Sequence, residues 1–305
     1  MGVAVRDTVA VTSPPERKHW IDAFGATLRY LRRNPSMIVG LTLLTVLLLF
    51  VIIGNLMVDT DKARALSVRP LQEPSARYPF GTDKQGRDML SVMVAGTPLT
   101  LRIGLIAGVL GVGFGAALAF IAAYYRGWVD TLIRGVVDIG LTVPGLMLLI
   151  VIAMSLKSSL SVDQMAFVIA SLAWLNPARI IRAQVLTIRE RTYVQVARLS
   201  GLSGPKIIVL ELLPNLLPYL VAALVTAVSA AILASIGLEV LGLGPLDSPT
   251  LGMTLYWVNY NAALINGWWW WWLPPIVVIA VLFLGLFFVS IGLDEFANPR
   301  LRRQA

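Results

Sequence analysis

Six stretches of this chain, at about residues 37–58, 98–124, 132–156, 163–181, 216–243 and 272–293, are apolar over most of their length. Crossing roughly 30 Å of hydrocarbon takes about 20 helical residues at about 1.5 Å each, a length these runs approach or exceed. Lipid offers no water to satisfy backbone N–H and C=O groups, so such runs must be helices. They are continuous rather than alternating, which argues against a closed barrel. The expected fold is therefore all-α: a polytopic membrane protein with six transmembrane helices. Composition agrees, since 57% of the 305 residues are hydrophobic and only 14% are charged, too few charges to cover a soluble domain of this size.

The runs divide the chain. Residues 1–36 form a polar, basic N-terminal segment in which Trp20–Arg33 reads as an amphipathic helix on the membrane surface. Residues 37–96 hold the first span and a polar segment outside it. Residues 97–293 hold the remaining five spans, and 294–305 form a basic tail. The first apolar run starts near Met37 and is too long for the core of a signal peptide, so it reads as an uncleaved span. The second is rich in glycine; Gly104-xxx-Gly108 and Gly111-xxx-Gly115 are pairs that let helix backbones approach closely. Pro144 lies inside the third. The formal charge of +8 does not point to nucleic acid, because the cations sit between spans rather than on one domain. Seventeen Lys and Arg fall on the side carrying both termini and eight on the other, which places both termini in the cytoplasm. The run Trp268–Trp272 fits an aromatic belt at the outer end of the last span.

Catalytic constellations are missing from the sequence. Cysteine is absent, His19 is the single histidine, and no Gly-Lys dipeptide exists to build a phosphate loop. No catalytic residue, cofactor or metal is expected. Ionisable residues inside spans are the remaining candidates. Arg134 and Asp138 are spaced for an ion pair on one helix face. Glu239, near the outer end of the fifth span, reads equally as a solute contact or a headgroup contact. Asn215, Tyr219, Ala222, Thr226 and Ser229 recur at spacings of one helical turn, a small and polar face suited to a solute pathway or to close helix packing.

Thr192–Asn215 is polar enough for water yet periodic enough for helix. Gly201 and Gly204-Pro205 divide it into helix, turn and helix, and Leu213-Pro214 leads into the fifth span. On the residues alone it is either a lever attached to a spanning helix or an ordinary loop.

Here a family resemblance enters. Ala197, Gly201, Ile207, Ile208 and Leu213-Pro214 resemble the EAA motif of ABC-importer permeases, with Gln195 and Val196 standing where the family has Glu and Ala. Phe80-Gly81-Thr82-Asp83 with Gly86-Arg87-Asp88 is similar to the GTDxxGRD signature of dipeptide and oligopeptide permeases of the OppC/DppC type. Tyr124–Asp130, Ala178–Glu190, Leu241–Gly244 and Asn298-Pro299-Arg300 match further family segments in order, over about residues 20–303. Ser235 stands near the place of a family glutamate, with Glu239 one turn later.

The resemblance implies a type I ABC importer permease fold in a prokaryotic cell membrane. Its partners would be a second homologous permease, two cytosolic ATP-binding subunits, an external solute-binding protein and membrane lipid, with no nucleic acid. It further implies a coupling helix at about 195–206, with Gln195, Ala197, Arg198, Gly201, Lys206 and Pro214 carrying the link to the ATPases. Asn215, Tyr219, Thr226, Ser229 and Glu239 are the pathway candidates. Nickel and glutathione permeases share the signature, and the spans offer a metal neither His nor Cys. An ion-coupled carrier would need inverted repeats and midplane acids, which the sequence does not display.

Because the chain has no cysteine, topology can be read with single replacements. Ser200→Cys should react with an impermeant maleimide only from the cytoplasmic side and Ser75→Cys only from outside; the opposite pattern would invert the assigned orientation.

Overall fold

The structure, a computed structural model, describes residues 34–156 and 159–297. The amphipathic segment Trp20–Arg33, His19 and the tail from Asn298 lie outside the described residues. The helices are α1 (Pro35–Met57), α2 (Met89–Tyr125), α3 (Gly127–Thr142), α4 (Gly145–Ser155), α5 (Val162–Ala173) and α6 (Leu175–Arg189). They are followed by α7 (Thr192–Leu199), α8 (Gly204–Ile207), a wide turn of π type at Ile208–Leu212, α9 (Leu213–Val240), α10 (Leu251–Tyr260) and α11 (Trp269–Ala297).

Four stretches are long and apolar enough to span alone: Pro35–Met57, Met89–Tyr125, Gly204–Val240 and Trp269–Glu295. The third and fourth expected spans are broken rather than continuous. α3 and α4 turn through 87° at Val143-Pro144, and α5 and α6 through 43° at Trp174. Proline lacks an N–H and its ring collides with the carbonyl four residues back. Pro144 thus closes α3 beside Val143, and Pro177 forbids an α turn through Ala173. With each pair counted as one span, six crossings result.

α2 is the central helix, packed on α5, α6 and α9, while α1 lies along α11. A side chain at Gly104 or Gly108 would collide with Val228 and Ile232 of α9, and one at Gly111 or Gly115 with Ala173 or Trp174 at the α5–α6 break. The glycine stripe is therefore what lets α2 lie against both neighbours. α2 starts earlier than hydropathy suggests because the Asp88 carboxylate accepts from Leu90 N at 3.3 Å and caps it.

The segment between α1 and α2 is compact. Asp83 accepts from Arg87 twice, from the backbone N at 2.8 Å and from Nε at 2.6 Å, with both residues buried. Thr82 Oγ1 donates to Arg69 O and accepts from Gln72 N. The Trp270 indole donates to Thr82 O at 3.2 Å. Trp270 and Trp271 are buried, whereas Trp269 is about half exposed. The tryptophan run is thus only partly a membrane belt; the Trp270 ring anchors the polar segment.

Arg87→Met leaves Asp83 as an uncompensated buried charge and should cost roughly 3–5 kcal/mol. A fall in the apparent Tm of the detergent-solubilised protein would report it. Arg64→Met removes an exposed pair to Asp61 at 3.2 Å and should leave Tm unchanged.

Candidate functional site

Two features stand out: a helical hairpin at one end of the bundle and a cavity that the broken helices open beside it. The hairpin begins where Glu190 ends α6. α7 turns Val194 and Ala197 inward and leaves Gln195, Val196, Arg198 and Leu199 exposed, Leu199 by 88%. Its end is a Schellman motif. Leu202 N donates to Ala197 O, Gly201 N donates to Arg198 O, and Gly201 sits at φ +80°. That left-handed backbone is the physical reason for a glycine here.

α8 opens on Gly204-Pro205, with Lys206 exposed, and continues through the wide turn into α9, so that Gly204–Val240 forms one 37-residue helix. The π turn fits Pro214 at the start of α9, because an extra residue per turn moves the Leu210 carbonyl away from the proline ring. The Asn215 amide donates to Glu211 O at 2.6 Å, satisfying a carbonyl in this irregular stretch.

The hairpin rests on a cluster of buried apolar side chains from α2, α6 and α9, including Ala119, Phe120, Ile181, Val185 and Leu216. Polar contacts tie it down as well. Arg126 and Glu190 pair at 2.6 Å. Arg182 grips Asp130 through Nε at 2.5 Å and Nη2 at 2.6 Å, joining α6 to the start of α3. The expected Arg134–Asp138 pair is present at 3.3 Å and exposed.

The cavity, of about 690 Å³, lies between the two broken pairs and α9. Gly140, Val143 and Gly145 flank it at one break, Leu175 and Pro177 at the other. Irregular backbone at membrane depth is tolerated where it lines a cavity. From α9 the lining includes Tyr219, Ala223, Thr226, Ala230, Leu233 and Gly237, most of it small residues, and Asp294 of α11 lines it as well.

Of the expected pathway residues, Tyr219 and Thr226 line this cavity and Asn215, Ser229 and Glu239 do not. Thr226 Oγ1 shares a hydrogen bond with Ser290 of α11, and Ser229 Oγ donates to Val225 O. Glu239 is fully buried and does not line this cavity. Its carboxylate accepts from Ser235 Oγ at 2.7 Å, Thr250 Oγ1 at 2.8 Å and Met253 N at 3.0 Å. It therefore pins the N-terminus of α10, which is favourable for an anion, and Gly244 and Gly252 leave no room for side chains beside it. The sequence reading missed α10 because its ten residues sit in a stretch that looks like loop. The Pro144 break was legible as a proline in a span.

This layout meets a known family. The family described as "binding-protein-dependent transport system inner membrane component" matches residues 111–303. This chain belongs to that family. Its hairpin, both broken spans, α9, α10 and α11 all lie in the matched region. A dipeptide transport system permease protein of Alkalihalophilus pseudofirmus is 31% identical over 295 residues, covering 95% of this chain and 94% of that one. A putative peptide transport system permease protein of Brucella abortus is 34% identical over 281 residues, covering 91% and 92%. A chain of the MetNI methionine ABC transporter, solved in inward-facing conformations, shares the fold with a TM-score of 0.53 and 20% identity, covering 98% of that chain and 70% of this one. The family member described here is thus a multi-pass membrane permease of the type I importer fold.

Glu239→Leu removes the acceptor of the buried Ser235 and Thr250 hydroxyls, each costing about 1–3 kcal/mol when left unpaired, while Met253 N keeps Thr250 Oγ1 as an acceptor. The variant should show a clearly lowered Tm in detergent, and Glu239→Gln, which keeps an acceptor oxygen, a smaller fall.

Proposed function

We propose that this chain is the membrane-spanning permease subunit of an ATP-driven importer for di- and oligopeptides. In this reading it is non-catalytic. It pairs with a second, similar permease, two cytosolic ATPases grip the hairpins, and an external binding protein delivers the solute. Both termini, and the hairpin with them, face the cytoplasm. The observation that carries the proposal is the continuity of the hairpin with α9: the helix that starts at Gly204 is the same one that lines the cavity through Tyr219 and Thr226.

The mechanism follows from that continuity. Gln195, Val196, Arg198, Leu199, Gly201 and Lys206 form the exposed outer surface offered to the ATPase, an apolar tip with basic neighbours. Closure of the ATPases on ATP supplies a differential interaction with one position of the hairpin, and so shifts a two-state equilibrium. Displacing α8 displaces α9 through Pro214, because no loop intervenes to absorb the motion. The cavity wall then moves relative to the two breaks at Pro144 and Trp174. A wall mostly of leucine, isoleucine, alanine and glycine, with Asn176, Tyr219, Thr226 and Asp294 as its polar groups, presents few fixed hydrogen-bonding partners. Such a surface suits peptides of varied side chain, with selection left to the external binding protein. The names of the relatives support peptide as the solute.

The test is reconstitution of the complete transporter in proteoliposomes. Two ATPase subunits should co-purify with the permease pair, and a labelled dipeptide should accumulate only with ATP and the binding protein. Gly201→Val, which forces a β-branched residue to φ +80°, should reduce uptake by an order of magnitude or more. Accumulation of nickel or glutathione in place of peptide, or a permease that never retains an ATPase, would sink the reading.

A further inference from the structure

The hairpin is continuous with α9, but both of its helices, together with the end of α6 that leads into them, also converge on a single ring at the end of α2. Tyr124 lies in the last turn of that helix. Arg189, the last residue of α6, donates through Nη1 to the carbonyls of Ala123 and Tyr124, at 2.6 Å each. These are terminal carbonyls with no partner inside their own helix, so Arg189 caps α2 from a neighbouring element. The same guanidinium lies 5.8 Å from the centre of the Tyr124 ring. The guanidinium of Arg198, on α7, lies at 5.8 Å from that ring as well. At the start of α8, a methyl group on Gly204 would sit 2.7 Å from Tyr124 Cε1. The end of α6, the body of α7 and the start of α8 thus all meet Tyr124.

Two guanidinium groups this close repel each other, and an aromatic ring offsets that by attracting both through its π electrons. Below the ring, Phe120 and Ala123 of α2 are buried with Val194, Ala197 and Ile207 of the hairpin. The arrangement matters because α2 is also held to α9 inside the membrane, where Gly104 and Gly108 seat against Ile232 and Val228. A hairpin fixed to α9 alone would have to shear that close glycine contact each time it moved. A hairpin fixed to both helices carries them as one body.

We propose that Tyr124 is the joint through which displacement of the hairpin reaches α2, so that α2 and α9 shift together. The inference rests on the hairpin being the ATPase handle. Tyr124 lies beneath the exposed surface offered to the ATPase and acts as a positioning residue.

The experiment uses the complete transporter in proteoliposomes and reads three quantities: co-purification of the ATPases, basal ATP hydrolysis, and its stimulation by the peptide-loaded binding protein. Tyr124→Leu keeps an apolar side chain but loses the ring. It should retain the ATPases and basal hydrolysis while stimulation falls by about tenfold, within the usual range for coupling between sites. Tyr124→Phe keeps the ring face and should retain stimulation. Gly204→Ala pushes against the ring and should impair stimulation in the parent chain, yet add no further loss in the Tyr124→Leu background, as expected for residues acting through one contact. Full stimulation in Tyr124→Leu would overturn the proposal. So would additive effects of the two changes, or loss of the ATPases from Tyr124→Leu, which would make the ring part of the docking surface itself. Failure of the parent chain to hold any ATPase is a different outcome, and it strikes the permease reading rather than the joint.

Discussion

Hydrocarbon cannot hydrogen-bond a peptide group, and the architecture of this chain is a set of answers to that constraint. Where the backbone crosses, it is helical. Where the helices break, at Val143-Pro144 and at Trp174, the residues flanking the breaks line a cavity. Where a helix end is buried, a side chain from elsewhere completes it: Glu239 at the start of α10, Arg189 at the end of α2. The polar segment before α2 solves the same problem by pairing buried Asp83 with Arg87 and by turning Thr82 onto the backbone of Arg69 and Gln72.

These answers separate rigid parts from yielding ones. The glycine contact of α2 with α9 and the apolar cluster under the hairpin are close-packed, and close-packed regions move as bodies rather than by gradual deformation. The two breaks, bent by 87° and 43°, interrupt that packing. In the proposed mechanism a force applied at the hairpin would pass through the packed region to the cavity wall between the breaks.

The buried carboxylate shows how an acid in a span is taken up by its neighbours. An acid in a spanning helix is a natural candidate for touching solute. Glu239 instead satisfies Ser235, Thr250 and the backbone of Met253 at zero exposure, and so serves the placement of α10. Asn215 through Nδ2 and Ser229 through Oγ likewise donate to carbonyls of their own helix. Polar residues within lipid spans are often taken up by such local bonding before they are free for a ligand.

The amino-acid sequence alone determined the helical class, the approximate spans, the turn at Gly201 and the family, because hydropathy, glycine and proline act locally and leave their mark in the order of residues. It also carried the reason for close packing in the second span, since glycines at four-residue spacing have few other uses in lipid. Tertiary structure alone decided which polar groups met. The pairing of Arg189 and Arg198 on Tyr124, of Trp270 with Thr82 and of Glu239 with Thr250 joins residues far apart along the chain or on separate elements. No periodicity records such meetings. They follow from how the broken helices turn, and a bend angle depends on the neighbours a helix finds rather than on the proline that permits it.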